Sequence, residues 1–148
     1  MKIILPIIGV ALLVLGLLLF LSKKSPEERS LQAKQSQLNQ PSMKKYKFLS
    51  AMRKGDFYPD WSVMKGCEIL IDLCAAIEAK PPSDPSDLYK LTHAATREFN
   101  TLDSKMREQG AELETMARGV IATDFEAIAS AYGFPEADRQ ELVAPRDW

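Results

Sequence analysis

Hydrophobic positions along this chain fall into one unbroken block followed by stripes at helical spacing. The block runs over residues 3–21, from Ile3 to Leu21, 19 residues without a charge. At about 1.5 Å per residue it would span roughly 28 Å as a helix, close to the thickness of a bilayer's hydrocarbon core. It is longer than a cleavable signal's apolar region and has no small-x-small site after Phe20. It therefore predicts a single-pass transmembrane anchor, with Pro6 tolerated in the first turn.

The stripes begin at Met43. Met43, Tyr46, Phe48, Leu49 and Met52 predict a helix over 43–53, stopped by Gly55. Val63, Met64, Cys67, Leu70, Ile71, Cys74 and Ile77 predict a second, opened by Pro59 and closed before Pro81-Pro82. Leu88, Leu91, Ala95, Phe99, Leu102 and Met106 rise in steps of three and four, a buried seam opened by Ser83-Asp84-Pro85. A fourth helix is expected over 111–132, with Met116, Val120, Ile121, Phe125 and Ile128 on its stripe and Gly133 past its end. A short fifth is expected over 136–142. No stretch alternates as a strand would. The fold class is all-α: an N-terminal transmembrane helix, a tether, and a compact four- to five-helix bundle.

Between block and stripes lies a polar stretch with few large apolar residues. Ser25-Pro26-Glu27-Glu28 has the signature of a capping box. The chain thus divides into an anchor (1–22), a polar, partly helical tether (23–41) and a helical domain (42–148).

Charge refines this picture. Residues 1–41 carry a net +3 and residues 42–148 a net −4. An acidic domain suits phosphate backbones poorly, so no nucleic-acid partner is expected. Lys23, Lys24, Arg29 and Lys34 follow the apolar block, and only Lys2 and the α-amine precede it. That bias favours a cytoplasmic C-terminal domain on a bacterial inner membrane. Lys44, Lys45 and Lys47 form a dense basic run. It reads as a solvated face or as a weak attraction to anionic headgroups, worth about 1 kcal/mol per lysine near the surface.

One histidine and two cysteines make no zinc, iron–sulfur or disulfide framework, and no metal or cofactor is expected. Cys67 and Cys74, roughly 10 Å apart on one helix face, are too distant to pair and sit where core thiols would. Ile69-Leu-Ile-Asp-Leu-Cys74, Leu91-Thr-His-Ala-Ala-Thr96, the run Ala122 to Gly133 and the final Arg146-Asp-Trp148 together resemble a small bacterial family of unknown function. That resemblance covers residues 43–148 and implies an all-helical fold, but no reaction.

Candidate contact residues remain. His93 falls opposite the third-helix seam, with Thr96 and Arg97 nearby, as a surface residue or a partner contact. Asp124 falls inside the fourth helix's apolar arc. Three readings are open: a helix break near Ala122 with Thr123-Asp-Phe-Glu126 as a capping box, a buried ion pair with Arg97 or Arg118, or a catalytic acid. Residues 112–148 hold eight acids and three bases. Glu112, Glu114, Asp124 and Glu126 could therefore form an acidic face. Trp148 either packs into its own domain or anchors a partner. The expected function is a membrane-tethered protein-interaction module, one version being an immunity-type inhibitor of a basic protein. The alternative is a small-ligand-binding domain or enzyme with a pocket around Asp124.

Overall fold

The structure, a computed structural model, describes residues 24–148. The expected anchor over 3–21 lies outside the described residues. Among the described residues no helix is long and apolar enough to cross a membrane. They form α1 (Pro26–Ser36), α2 (Pro41–Lys45), a 3-10 turn (Met52–Lys54), α3 (Asp60–Ala79), α4 (Pro85–Arg107), α5 (Thr115–Ala131) and α6 (Arg139–Leu142), with no strand. The all-α expectation holds.

The contacts divide the chain into two units, one ending at Ser30 and one spanning Leu31–Trp148. In the first, the capping box forms: Ser25 Oγ accepts from the Glu28 N–H at 3.1 Å, and Glu28 Oε2 accepts from the Ser25 N–H at 3.3 Å.

The second unit begins at Leu31 rather than Ser42, so the C-terminal part of the expected tether is packed. Leu38 is buried. Lys34 forms an ion pair with Asp72 at 2.7 Å, and the Gln35 amide donates to the Met43 and Tyr46 carbonyls. The polar composition of this stretch hid its docking, which runs through these polar contacts together with Leu31 and Leu38.

Helix α3 is the central element. Its stripe Val63, Cys67, Leu70, Ile71, Cys74 and Ile77 is buried, and so are Ile69 and Leu73 outside that stripe. A helix covered on more than one side belongs inside the core. It ends at Ala79, with Lys80 as its C-cap, before the prolines that cannot continue it. Helix α4 opens on Asp84, whose side chain accepts from the Asp87 N–H, and buries one face from Leu88 to Met106. The short link between them and the facing of residues 61–66 by 98–105 make α3 and α4 an antiparallel hairpin. Gly66 lets them close: a Cβ there would lie 3.2 Å from the Phe99 ring and 2.6 Å from a Leu49 methyl. Helix α5 closes the core through Phe125, whose ring centroid is 6.1 Å from that of Phe99. Gly133 ends α5 at φ +94, with the Phe134 N–H reaching back to the Ala129 carbonyl, as expected of a left-handed C′ glycine.

Two expected elements differ. The helix over 43–53 is broken: α2 stops at Lys45, Tyr46 is extended, and the chain turns through Leu49, which adopts a left-handed φ of +51. Helix α5 runs unbroken through Ala122, starting at Thr115 rather than residue 111. Thr123 does not cap a new helix; its hydroxyl donates back to the Gly119 carbonyl. The break in the first comes with Asp124, which accepts the Leu49 N–H; the start of the second is set by Glu114, whose side chain caps α5.

Candidate functional site

Asp124 is buried on α5. Its Oδ2 accepts the Leu49 N–H at 2.7 Å and its Oδ1 accepts the Tyr46 hydroxyl at 3.0 Å. Neither Arg97 nor Arg118 is its partner, and it starts no helix turn. The carboxylate holds the turn that interrupts the expected 43–53 helix, and it fixes Leu49 in a conformation costly for a branched side chain. Burial pushes its carboxyl above the ordinary value against the two donors, and burial with the neighbouring charge pushes the Tyr46 phenol up to about 12. With both oxygens engaged, the group has the character of a structural clasp.

Other acids do the same work. Asp103, buried on α4, accepts the Leu113 N–H at 2.6 Å and the Arg107 Nε at 2.6 Å, which fixes the α4–α5 link. Its position was legible: it lies four residues after Phe99 and three before Met106, inside the buried arc. Glu78 on α3 accepts the backbone N–H groups of Asn39 and Gln40 at 2.7 and 2.9 Å, the Asn39 amide, and the Tyr132 hydroxyl at 2.6 Å. Burial pushes the Glu78 carboxyl up, but these donors outweigh it and hold it below the ordinary value. A carboxyl depressed on folding adds stability above its unfolded pKa and loses it as pH falls through its folded pKa. Glu78→Gln should therefore loosen residues 38–40, raising their amide exchange by roughly tenfold at neutral pH. The difference from wild type should shrink on acidification below about pH 4.5, the ordinary value of this group. Exchange at Asn39 and Gln40 that does not change in the variant would show that the carboxylate does not hold this segment.

The expected acidic face is largely occupied in the same way. Glu114 caps α5 by accepting the Met116 N–H and also takes the Tyr58 hydroxyl. Glu126 pairs with Arg139. Glu112, the most exposed of the four, lies 3.6 Å from Arg107. Arg97 is exposed on α4.

His93 is engaged within the chain. Its Nε2 donates to the Glu141 carbonyl at 2.7 Å and its ring stacks on Tyr89. Thr96, one turn on and fully buried, reaches the Leu142 carbonyl, and the Asn100 amide donates to the Pro145 carbonyl at 2.8 Å. His93, Thr96 and Asn100 thus form a polar line along α4 that receives the chain's own residues 141–147. This line delivers Trp148 onto Phe99, edge to face at 6.3 Å between centroids. Trp148 packs within its own domain.

Cys67 and Cys74 are buried free thiols; burial pushes both up, Cys74 to about 12, so neither is a ready thiolate. Among the described residues no three His, Cys, Asp or Glu side chains converge as metal ligands.

A surface feature unmarked by the sequence patterns is the groove between α3 and α4. It has a volume of about 400 Å³ and is lined by Trp61, Lys65, Glu98, Thr101, Leu102 and Lys105. Leu102 is buried beneath it, and Trp61 stands at its rim, 37% exposed. Phe57 and Met116 are also exposed large hydrophobics, at 69% and 45%. Met116 was expected on the apolar stripe, but α5 begins at Thr115 and leaves it in the first, uncovered turn.

These features define an all-helical domain whose acids hold its loops and whose open groove has an aromatic rim. The chain belongs to the family of unknown function DUF5713, whose sequence model matches residues 42–148. No curated protein matches the chain, and no solved structure does.

Proposed function

We propose that this protein is a membrane-tethered protein-interaction module that binds a partner protein in the groove between α3 and α4. The apolar run over 3–21 anchors it in a bacterial inner membrane. The lysines and arginine after that run hold the domain on the cytoplasmic side, where buried free thiols such as Cys67 and Cys74 are at home. The observation that carries the reading is Trp61, a partly exposed tryptophan over an apolar floor, flanked by Lys65 and Lys105. Tryptophan set in a cleft with a charged rim is the composition of an interaction hot spot. An immunity-type inhibitor acting through Glu112, Glu114, Asp124 and Glu126 has less support, because internal donors already engage those acids. The same engagement weighs against a ligand pocket around Asp124.

The test separates groove from acidic face. Thr101 is exposed on the groove wall, so Thr101→Arg fills the groove at a stability change of about 0.5 kcal/mol or less. Partner captured by the full chain from its own membrane should drop at least about tenfold in Thr101→Arg and in Trp61→Ala, a hot-spot-sized loss. Glu112→Lys should leave it unchanged. The reverse result, loss in Glu112→Lys with both groove variants intact, would transfer the binding site to the acidic face.

A further inference from the structure

We propose that the segment preceding α3 is a docking surface for the anionic lipid headgroups of the membrane in which the chain is anchored. It rests on the anchor reading above but concerns a different part of the surface from the groove. Residues 44–54 hold five basic residues and no acidic one, inside a domain whose net charge is negative. The structure sorts this stretch by side. Met43, Phe48, Leu49 and Met52 point into the core, and Lys44, Lys45, Lys47 and Lys54 are exposed.

Those four lysines differ from five other cations among the described residues. Lys34, Lys65, Lys90, Arg107 and Arg139 each pair with a carboxylate. Lys44, Lys45, Lys47 and Lys54 form no ion pair among the described residues. Lys47 and Lys54 can be no more than roughly 25 Å apart along the chain, and the turn through Leu49 and the 3-10 turn that follows shorten that span. Three residues beyond Lys54 stands Phe57, at 69% the most exposed large hydrophobic side chain among the described residues. Unpaired lysines next to an uncovered aromatic are the composition of a surface that meets a bilayer interface.

The bilayer is favoured as occupant because the chain keeps it within reach. Few residues separate Leu21 from the packed unit that begins at Leu31, so the headgroup layer is at a high effective concentration. Each lysine close to an anionic surface favours the bound state roughly fivefold, and four of them favour it several-hundredfold. Docking sets which way the groove faces without adding to the anchor's hold.

The test uses the full chain reconstituted into vesicles of neutral phosphatidylcholine, or of the same lipid with a third phosphatidylglycerol. A fluorescent donor on Ser50→Cys, an exposed position within the segment, reports transfer to an acceptor on the lipid headgroups; Cys67 and Cys74 are buried from the dye. Transfer should rise roughly twofold in anionic vesicles and return to the neutral-lipid value in about 0.5 M salt, which screens charge beyond a few ångströms. Replacing Lys44, Lys45, Lys47 and Lys54 by Glu should abolish the rise, with helical circular dichroism unchanged. The salt titration of the unsubstituted surface tests the same point without those substitutions. Flotation after alkaline carbonate reads the anchor separately: a chain that stays with the vesicles but shows no dependence on lipid charge overturns the docking surface alone. A chain that is stripped off overturns the anchor, and the docking surface with it. A rise that survives the four reversals overturns the assignment to these lysines.

Discussion

Trp148→Ala should cost about 3–5 kcal/mol in urea unfolding, an effect of core size from the last residue of the sequence. Chain ends ordinarily fray, and truncating them changes little. Here the ring is 4% exposed and meets Phe99, itself fully buried at the centre of α4. The preceding residues are held in place by His93, Thr96 and Asn100 along one side of that helix. Two further variants separate packing from hydrogen bonding. The Trp148 Nε1 is buried without a partner, and a buried unpaired donor destabilises. Trp148→Phe keeps an aromatic edge toward Phe99 and removes that donor, so it should lose less than half as much as the alanine variant. Asn100→Ala should loosen residues 145–147 and raise amide exchange at Arg146 and Asp147 while α5 stays protected. A Trp148→Ala protein with unchanged urea midpoint and slope would show the ring to be a bystander.

The helices that position these contacts were legible because each carries its own signals. The bounds of α3 and α4 follow from Pro59, Pro81, Asp84 and Pro85 and from seams with a helical period, all local in sequence. The failures share a physical origin in single long-range hydrogen bonds. Met43 to Met52 has the period of a helix and is buried as one face would be, but the Leu49 N–H is bonded to a carboxylate 75 residues away. Periodicity reports burial and is blind to such a bond. Asp124 was recognised as an acid in an apolar arc, and its need for a partner was clear. The partner, Tyr46 with a backbone N–H, lay in a segment whose own pattern argued for continuous helix. The docking of residues 31–41 was hidden in the same way, since Glu78 holds Asn39 and Gln40 largely through their backbone N–H groups, which any residue but proline carries. Of the candidate site, His93 with Thr96 nearby reads from the sequence as a surface residue or a partner contact, and Asp124 as an acid in an apolar arc. Their partners, however, belong to the chain itself. The groove at Trp61 gave no pattern because it forms from two helices that the sequence describes separately.

Asp124→Ala is the second substitution with a large expected effect, about 3 kcal/mol, since it leaves the buried Leu49 N–H without an acceptor and removes what holds a left-handed leucine in place. Asp124→Asn is the informative contrast. Its Oδ1 can still accept from Leu49, and its amide can donate to the Tyr46 hydroxyl, so the shape of the clasp survives. The two proteins then differ in one respect, the charge, and pH reveals it. Burial raises the Asp124 carboxyl above its ordinary 3.8, so between the unfolded and folded pKa values the native state binds more protons than the unfolded one. Stability from this group is therefore fully present below about pH 3.8, the unfolded value, and declines as pH rises through the folded one. Glu78 and Glu114, both held low, work in the opposite sense, but they are common to both proteins and cancel in the difference. The asparagine variant should therefore gain on wild type as pH is raised from about 3.8, the ordinary value, until the folded aspartate has taken on its charge, and hold that gain above it. Paired urea titrations across that interval measure the gap directly. A gap that stays constant would mean that the carboxyl has the same pKa folded and unfolded. A gap that widens against asparagine would mean that the bonds from Leu49 and Tyr46 outweigh burial.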